Sequence, residues 1–266
     1  MAGLTYVYAV RSRRAGGVSI GVNLSPNNAC NWRCAYCQVA GLVRGRSPSI
    51  DLDRLEAELE EVLARASRGE LVEGGGPIRD IAFSGNGEPT TSPDFAQAVE
   101  RVGRVVGRMS PAIPLILITN GSRLDQAPVR AGVRRLGELG GRVWFKVDRV
   151  TAAGILEVNG ARVLPAAHLA RLRVAASLCP TWVQSCFFAR RGEAPPPPEV
   201  DAWVAALGAL AREGVPVRGV LLYTLARTSA QPGGDELGAL DGAWLGALAE
   251  RVRGVGIADV QVSLAR

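Results

Sequence analysis

The sequence predicts an α/β protein built on a parallel sheet, and three observations carry that prediction. Short β-type runs alternate with longer amphipathic stretches, the order expected of βα units. Six such pairs precede a last β-type run. The 266 residues, 47% of them hydrophobic, are enough for one barrel-like α/β domain and too apolar for a disordered chain.

In chain order, strands are expected at Val18–Leu24, Ile78–Ser84, Leu115–Thr119, Arg142–Asp148, Thr181–Phe188 and Val217–Thr224. Helices are expected at Asp51–Ser67, Pro93–Arg108, Pro128–Leu139, Pro165–Ser177, Glu199–Glu213 and Leu237–Val252, with a closing strand at Asp259–Leu264. Two stretches resemble linkers: Gly69–Pro77, with three consecutive glycines, and the proline run Pro195–Pro198. Neither separates regions of different composition, and proline suits a helix's first turn. The expectation is one domain over residues 1–266, with a lead-in at 1–17 and a core at 18–266. In parallel βα architectures ligands bind at the carboxyl ends of the strands, so residues there are the candidates.

Composition excludes some classes and singles out one residue. Apolar runs fall short of membrane-spanning length, and Met1–Val10 has no basic segment ahead of an apolar core, so a cytoplasmic protein without membrane attachment is expected. The net charge of +6 is spread along the chain and points to no particular anionic partner. Lys146 is the single lysine among 31 Lys and Arg residues. An ammonium kept at one place in an arginine-rich chain has distinct chemistry.

Immediately after the first expected strand, Cys30, Cys34 and Cys37 follow one another as C-x3-C-x2-C on one loop. Three thiolates in a compact loop suit an iron-sulfur cube with one iron left open to an exogenous ligand. Structural zinc, which wants four closed ligands, and plain structural cysteines are the alternatives. A disulfide framework does not fit a cytosolic chain with five cysteines. His168 falls in an expected helix far downstream and reads as an ordinary helix residue.

With Tyr36 before its last cysteine, this loop resembles the signature of the radical S-adenosylmethionine (SAM) superfamily. A second segment agrees. Ile81-Ala-Phe-Ser-Gly-Asn-Gly-Glu-Pro-Thr90 resembles that family's glycine-glycine-glutamate segment, where Gly85, Asn86 and Gly87 let the backbone approach SAM and Glu88 holds its amino group. Thr119 and Asn120, in Ile118-Thr-Asn-Gly121, are similar to a segment that contacts the nucleoside or methionine, although Asn-Gly is also common turn chemistry. On the fourth strand the period-two pleat puts Trp144, Lys146 and Asp148 on one face and Phe145 and Val147 on the other. Lys146 and Asp148, too costly to bury unpaired, then pair or meet a polar ligand, and similar segments in related enzymes contact SAM.

The resemblance implies a partial (β/α)6 TIM-like barrel of the radical SAM type, with an additional C-terminal strand. It implies one 4Fe-4S cluster on Cys30, Cys34 and Cys37, SAM as cofactor, and an electron donor such as flavodoxin or ferredoxin. SAM would be cleaved reductively, and the 5'-deoxyadenosyl radical would abstract hydrogen from a nucleoside, tRNA or other small substrate. An activating enzyme that installs a glycyl radical on a partner protein is the alternative, and a noncatalytic metal-binding protein a remote one. Cys186 and Tyr223 are the substrate-side candidates, with Cys179 and Cys186 otherwise read as packing residues.

Within the superfamily, Ser12-Arg-Arg14, Ile20-Gly-Val-Asn-Leu-Ser-Pro26, Cys37-Gln-Val39 and Phe83–Thr90 resemble a bacterial and archaeal group related to wyosine-type tRNA synthases. That group condenses pyruvate with a methylated guanine through a lysine Schiff base and carries a second cluster on upstream cysteines. Here no cysteine precedes Cys30, and the one lysine lies in the segment already assigned to SAM. Shared ancestry with different chemistry is the expectation.

Overall fold

A computed structural model describes residues 3–12, 16–68, 70, 76–110 and 112–265. Arg13, Arg14 and most of the glycine-rich stretch at 69–77 lie outside the described residues. Two compact units divide the chain, one of residues 1–31 and 43–143, the other of residues 32–42 and 144–266.

In the first unit, β1 (Val7–Ser12) runs antiparallel to β2 (Gly17–Val22), with Val7 opposite Val22. A short parallel pair, β3 (Ala29–Cys30) and β4 (Val43–Arg44), follows, then α1 (Leu52–Ser67). The Asp51 carboxylate starts α1 by accepting the Arg54 N–H at 2.9 Å, and Leu55, Leu59, Val62 and Leu63 form its buried stripe. The strand β5 (Ile78–Phe83) pairs parallel with β2 and, on its other side, with β6 (Leu115–Thr119), and α2 (Phe95–Met109) lies between them in sequence. α2 packs on α1 and on α3 (Ala127–Glu138). The strand order is β1-β2-β5-β6.

The division falls within β7 (Arg142–Lys146), whose residues from Trp144 onward belong to the second unit. As the alternation predicts, Phe145 and Val147 are fully buried on one face of this segment. Two helices follow, α4 (Ala152–Asn159) and α5 (Pro165–Leu178), then β8 (Thr181–Cys186) and β9 (Phe188–Arg190). The proline run opens α6 (Pro197–Arg212), and β10 (Val217–Tyr223), β11 (Leu237–Ala239), α7 (Gly242–Gly254) and β12 (Val260–Ser263) complete the unit. β8, β10 and β12 run parallel, in the order β7-β8-β10-β12.

Two expectations about elements are corrected, and two elements are added. The strand foreseen over Thr181–Phe188 ends at Cys186, because Phe188–Arg190 leaves it as β9 to pair with β11. The helix foreseen from Leu237 begins at Gly242, since Leu237–Ala239 is drawn into that antiparallel pair and Asp241 supplies the cap, accepting the Trp244 N–H at 2.7 Å. β1 and α4 were not foreseen. No helix of the described residues is long and apolar enough to cross a membrane.

Candidate active site

In the first unit the turn after β5 is built around Asn23, which follows β2. Its Oδ1 accepts the N–H groups of Ser25 at 3.0 Å and Asn86 at 3.2 Å, and the Asn86 amide donates to Asn28 Oδ1 at 2.7 Å. At Gly87 any side chain would collide with the Ala29 carbonyl, so the close passage of this turn over residues 25–29 requires glycine there. Glu88, 3% exposed, then points to the end of β6. Its Oε1 accepts the Thr90 and Thr119 hydroxyls, both at 2.6 Å, and the Thr90 N–H at 3.2 Å, while Oε2 accepts the Asn120 N–H at 2.7 Å.

Every one of these donors is neutral. Burial pushes the Glu88 carboxyl above its ordinary value, against the pull of the Asn120, Thr119 and Thr90 hydrogen bonds. A buried carboxylate whose donors among the described residues are all neutral lacks a compensating charge, and burial of that kind is costly. From Asn120 the network runs on to the residue after Cys30. The Asn120 amide donates to Asn31 Oδ1 at 3.0 Å, and the Asn31 amide donates to the Ser122 hydroxyl at 2.6 Å.

In the second unit the loop 32–42 is held at two places. The end of α4 accepts its backbone, with Arg33 N–H on the Asn159 carbonyl at 2.9 Å and Ala35 N–H on the Val158 carbonyl at 2.8 Å. Residues 229–231 hold its other side: the Ser229 hydroxyl donates to the Ala35 carbonyl at 2.6 Å, Ala230 N–H to the Cys37 carbonyl at 3.0 Å, and the Gln231 amide to the Val39 carbonyl at 2.9 Å.

Asp148, just past β7, is the hub of this unit's polar network. Its Oδ1 accepts the Cys186 N–H at 2.8 Å, and its Oδ2 accepts the Tyr36 hydroxyl at 2.5 Å and the Asn159 amide at 2.7 Å. Lys146 supplies the countercharge, with Nζ 4.0 Å from Asp148 Oδ2, 2.5 Å from the Tyr36 hydroxyl and 3.5 Å from that of Tyr223. Burial by itself would pull the Lys146 ammonium down, but Tyr223 and Asp148 hold it above the ordinary lysine value. The Tyr36 hydroxyl, buried and facing Asp148, is raised well above its own.

Around this hub Tyr36, Val158, Cys186, Phe188 and Leu225 form one apolar cluster, so Cys186 is packed here and fully buried. Burial pushes the Cys34 thiol up to about 11 and the Cys179 thiol up to about 12. None of the five cysteines is in a disulfide. Among the described residues no three His, Cys, Asp or Glu side chains converge on a single metal ion. His168 sits behind β7, its Nε2 2.8 Å from the Lys146 carbonyl and its ring against Trp32 and Phe145, and burial lowers it to about 4.

Sequence reasoning missed Asn23, Asn159 and the Ser229–Gln231 clamp. Only the Asn159-Gly160 pair carried a local signal, since glycine just past a helix end is a C-terminal cap. Gly160 has φ 58°, and a side chain there would press on the Arg33 carbonyl.

A βα fold with three clustered cysteines in sequence and a glycine-rich turn ending in a buried carboxylate describes a class of cofactor-dependent α/β enzymes. Residues 24–184 match the family model of the Radical SAM superfamily, and the chain belongs to that superfamily of enzymes, which implies SAM and an iron-sulfur cluster as cofactors. It is 28% identical to a GTPase Obg of Brachyspira hyodysenteriae over 125 residues, 46% of this chain and 16% of that protein. It is also 28% identical to a UPF0026 protein of Helicobacter pylori, over 47% of this chain and 37% of that one. A UPF0026 protein of Methanocaldococcus jannaschii is 29% identical over 56% of this chain and 42% of its own length. The chain thus spans less than half of the curated relatives it matches.

Among solved structures, TYW1 with a lysine-pyruvate adduct bound covers 89% of this chain and 73% of its own, with a TM-score of 0.59 at 13% identity. The cobalamin-dependent SAM radical enzyme OxsB covers 71% of this chain and 26% of its own, at 0.50 and 11%. These likenesses establish the fold as the partial barrel of radical SAM proteins.

Proposed function

We propose that residues 1–266 act as one catalytic domain that cleaves SAM reductively at a single 4Fe-4S cluster on Cys30, Cys34 and Cys37. The substrate is a nucleoside, RNA or other small molecule, and a low-potential protein of the flavodoxin or ferredoxin type supplies the electron. When bound, the cluster and SAM supply one-electron carbon-sulfur cleavage and the hydrogen abstraction that follows. The donor set fits such a cluster: three thiols outside any disulfide, with a buried amide N–H directed at Cys34 Sγ.

Glu88 carries the reading. Among the described residues it is a buried carboxylate with neutral donors only, and its Oε2 has one partner there where a carboxylate oxygen accepts two. The SAM ammonium fits there. Gly85, Asn86 and Gly87 bring the backbone close to the methionine, and Thr119 and Asn120 hold the Glu88 carboxylate in place beside their contacts to SAM. Tyr36, Lys146 and Asp148 are proposed to border SAM through the loop they anchor, with Cys186 and Tyr223 toward substrate.

Lys146 is assigned in this reading as a positioning ammonium and not as a Schiff-base amine, which its contacts with Asp148 and two tyrosines support. Anaerobic reconstitution tests the whole assignment: about four irons per chain are expected, with 5'-deoxyadenosine released from SAM on reduction. Stoichiometric zinc without iron uptake, or full iron in the triple Cys30→Ala, Cys34→Ala, Cys37→Ala variant, would refute it.

A further inference from the structure

Asn159 closes α4, is 1% exposed, and has both amide hydrogens committed within the second unit. One is donated to Asp148 Oδ2 at 2.7 Å, the other to Cys34 Sγ at 3.4 Å. The amide cannot be turned over without cost, since its oxygen would then face the Asp148 carboxylate. Asp148 therefore fixes which end of Asn159 meets the sulfur.

The backbone fixes the distance. Asn159 and Val158 accept the N–H groups of Arg33 and Ala35, the residues on either side of Cys34. The left-handed Gly160 lets the chain turn away where a side chain would displace the Arg33 carbonyl. Cys34 Sγ and the Asn159 amide are thus carried on segments joined by backbone hydrogen bonds on both sides of Cys34.

We infer that Asn159 is a positioning residue that tunes the reduction potential of the cluster by donating a hydrogen bond to the Cys34 sulfur, with Asp148 orienting it. The inference rests on Cys34 being a cluster ligand. Hydrogen bonds to cluster sulfurs are one of the levers that set an iron-sulfur potential, and partners beyond the ligands tune metal sites. A donor on a thiolate sulfur offsets negative charge, and the reduced cluster carries one more negative charge than the oxidised one. The one-electron reduction by an external low-potential donor is therefore favoured, with no bond made or broken.

Asn159→Leu keeps the branched shape and removes both donors. In a redox titration of the reconstituted full chain against dithionite, followed by electron paramagnetic resonance, its midpoint potential is expected to become more negative. At the wild-type midpoint the ratio of reduced to oxidised cluster should fall about fivefold, the size of effect one net hydrogen bond allows. Wild-type protein supplies a measurement independent of any variant's folding. Its reduced cluster should couple to an exchangeable proton in double-resonance spectra, lost in heavy water.

Iron content separates the two levels. Failure of the wild type to take up iron would remove the cluster assignment, and this inference with it. A four-iron wild type with no exchangeable proton near the cluster, or a four-iron Asn159→Leu protein with the wild-type potential, would overturn the inference alone.

Discussion

Glu88 in the first unit and Asp148 in the second are both buried carboxylates that accept from several donors, yet they differ in what surrounds them. Glu88 draws on its own turn, through Thr90, and on the end of β6, through Thr119 and Asn120. Asp148 reaches across the sequence to Tyr36, Asn159 and the Cys186 N–H, and it has Lys146 within ion-pair distance. One carboxylate is complete in charge; the other is not. A charge paired with a cation is balanced within the protein, and the carboxylate whose described donors are all neutral is the one proposed to take a cationic ligand.

The largest expected effect follows from breaking the complete pair. Asp148→Ala strands a part-buried ammonium at Lys146 and frees Tyr36 and Asn159, so stability measured by urea denaturation should fall by about 3 kcal/mol, the low end for breaking a buried pair. Glu88→Gln, which removes no paired cation, should cost clearly less. Equal losses would erase the distinction between the two sites.

A sharper probe addresses Lys146 as the countercharge of Asp148. Incubation with pyruvate and borohydride should leave the intact mass unchanged, because an ammonium held by a carboxylate and two tyrosines is a poor nucleophile. Lys146→Arg should lower SAM cleavage several-fold, since a planar fork does not replace a compact ammonium. A pyruvyl adduct on Lys146 would give the residue a covalent role and undo its assignment as a positioning ammonium beside SAM.

The smallest effect concerns pH. Burial raises the Glu88 carboxyl above the ordinary 4.5, so the folded chain binds a proton there more tightly than the unfolded chain does. Its contribution to stability is full below that ordinary value and is lost as pH rises through the raised one. SAM affinity should change in the opposite direction, rising over the same window as the carboxylate ionises. Both slopes should flatten in Glu88→Gln, whereas a slope unchanged in that variant would assign the pH dependence to another group.

What the sequence made legible was local. The strand Leu115–Thr119 was read to the residue, because an apolar run bounded by proline and by Thr-Asn-Gly leaves little choice. The cysteine loop and the Glu88 turn were readable because each is a short motif whose chemistry depends on spacing. β1, which joins the sheet as an antiparallel strand, alternates weakly, and α4 is only eight residues long, too short for a periodic pattern to declare itself. Leu237–Ala239 has helical neighbours and becomes a strand only through its pairing with Phe188–Arg190. Asn159 and the 229–231 clamp were hidden for the same reason: their partners on the loop lie more than a hundred residues away.

The contrast between the two carboxylates is tested most directly by the SAM dissociation constant of cluster-loaded wild type and Glu88→Gln, read from the change in the reduced cluster's paramagnetic spectrum as SAM is added. Glu88 as the acceptor of the SAM ammonium predicts a loss of about ten- to a hundredfold in affinity at unchanged iron content. Equal dissociation constants in two folded, four-iron proteins would contradict it.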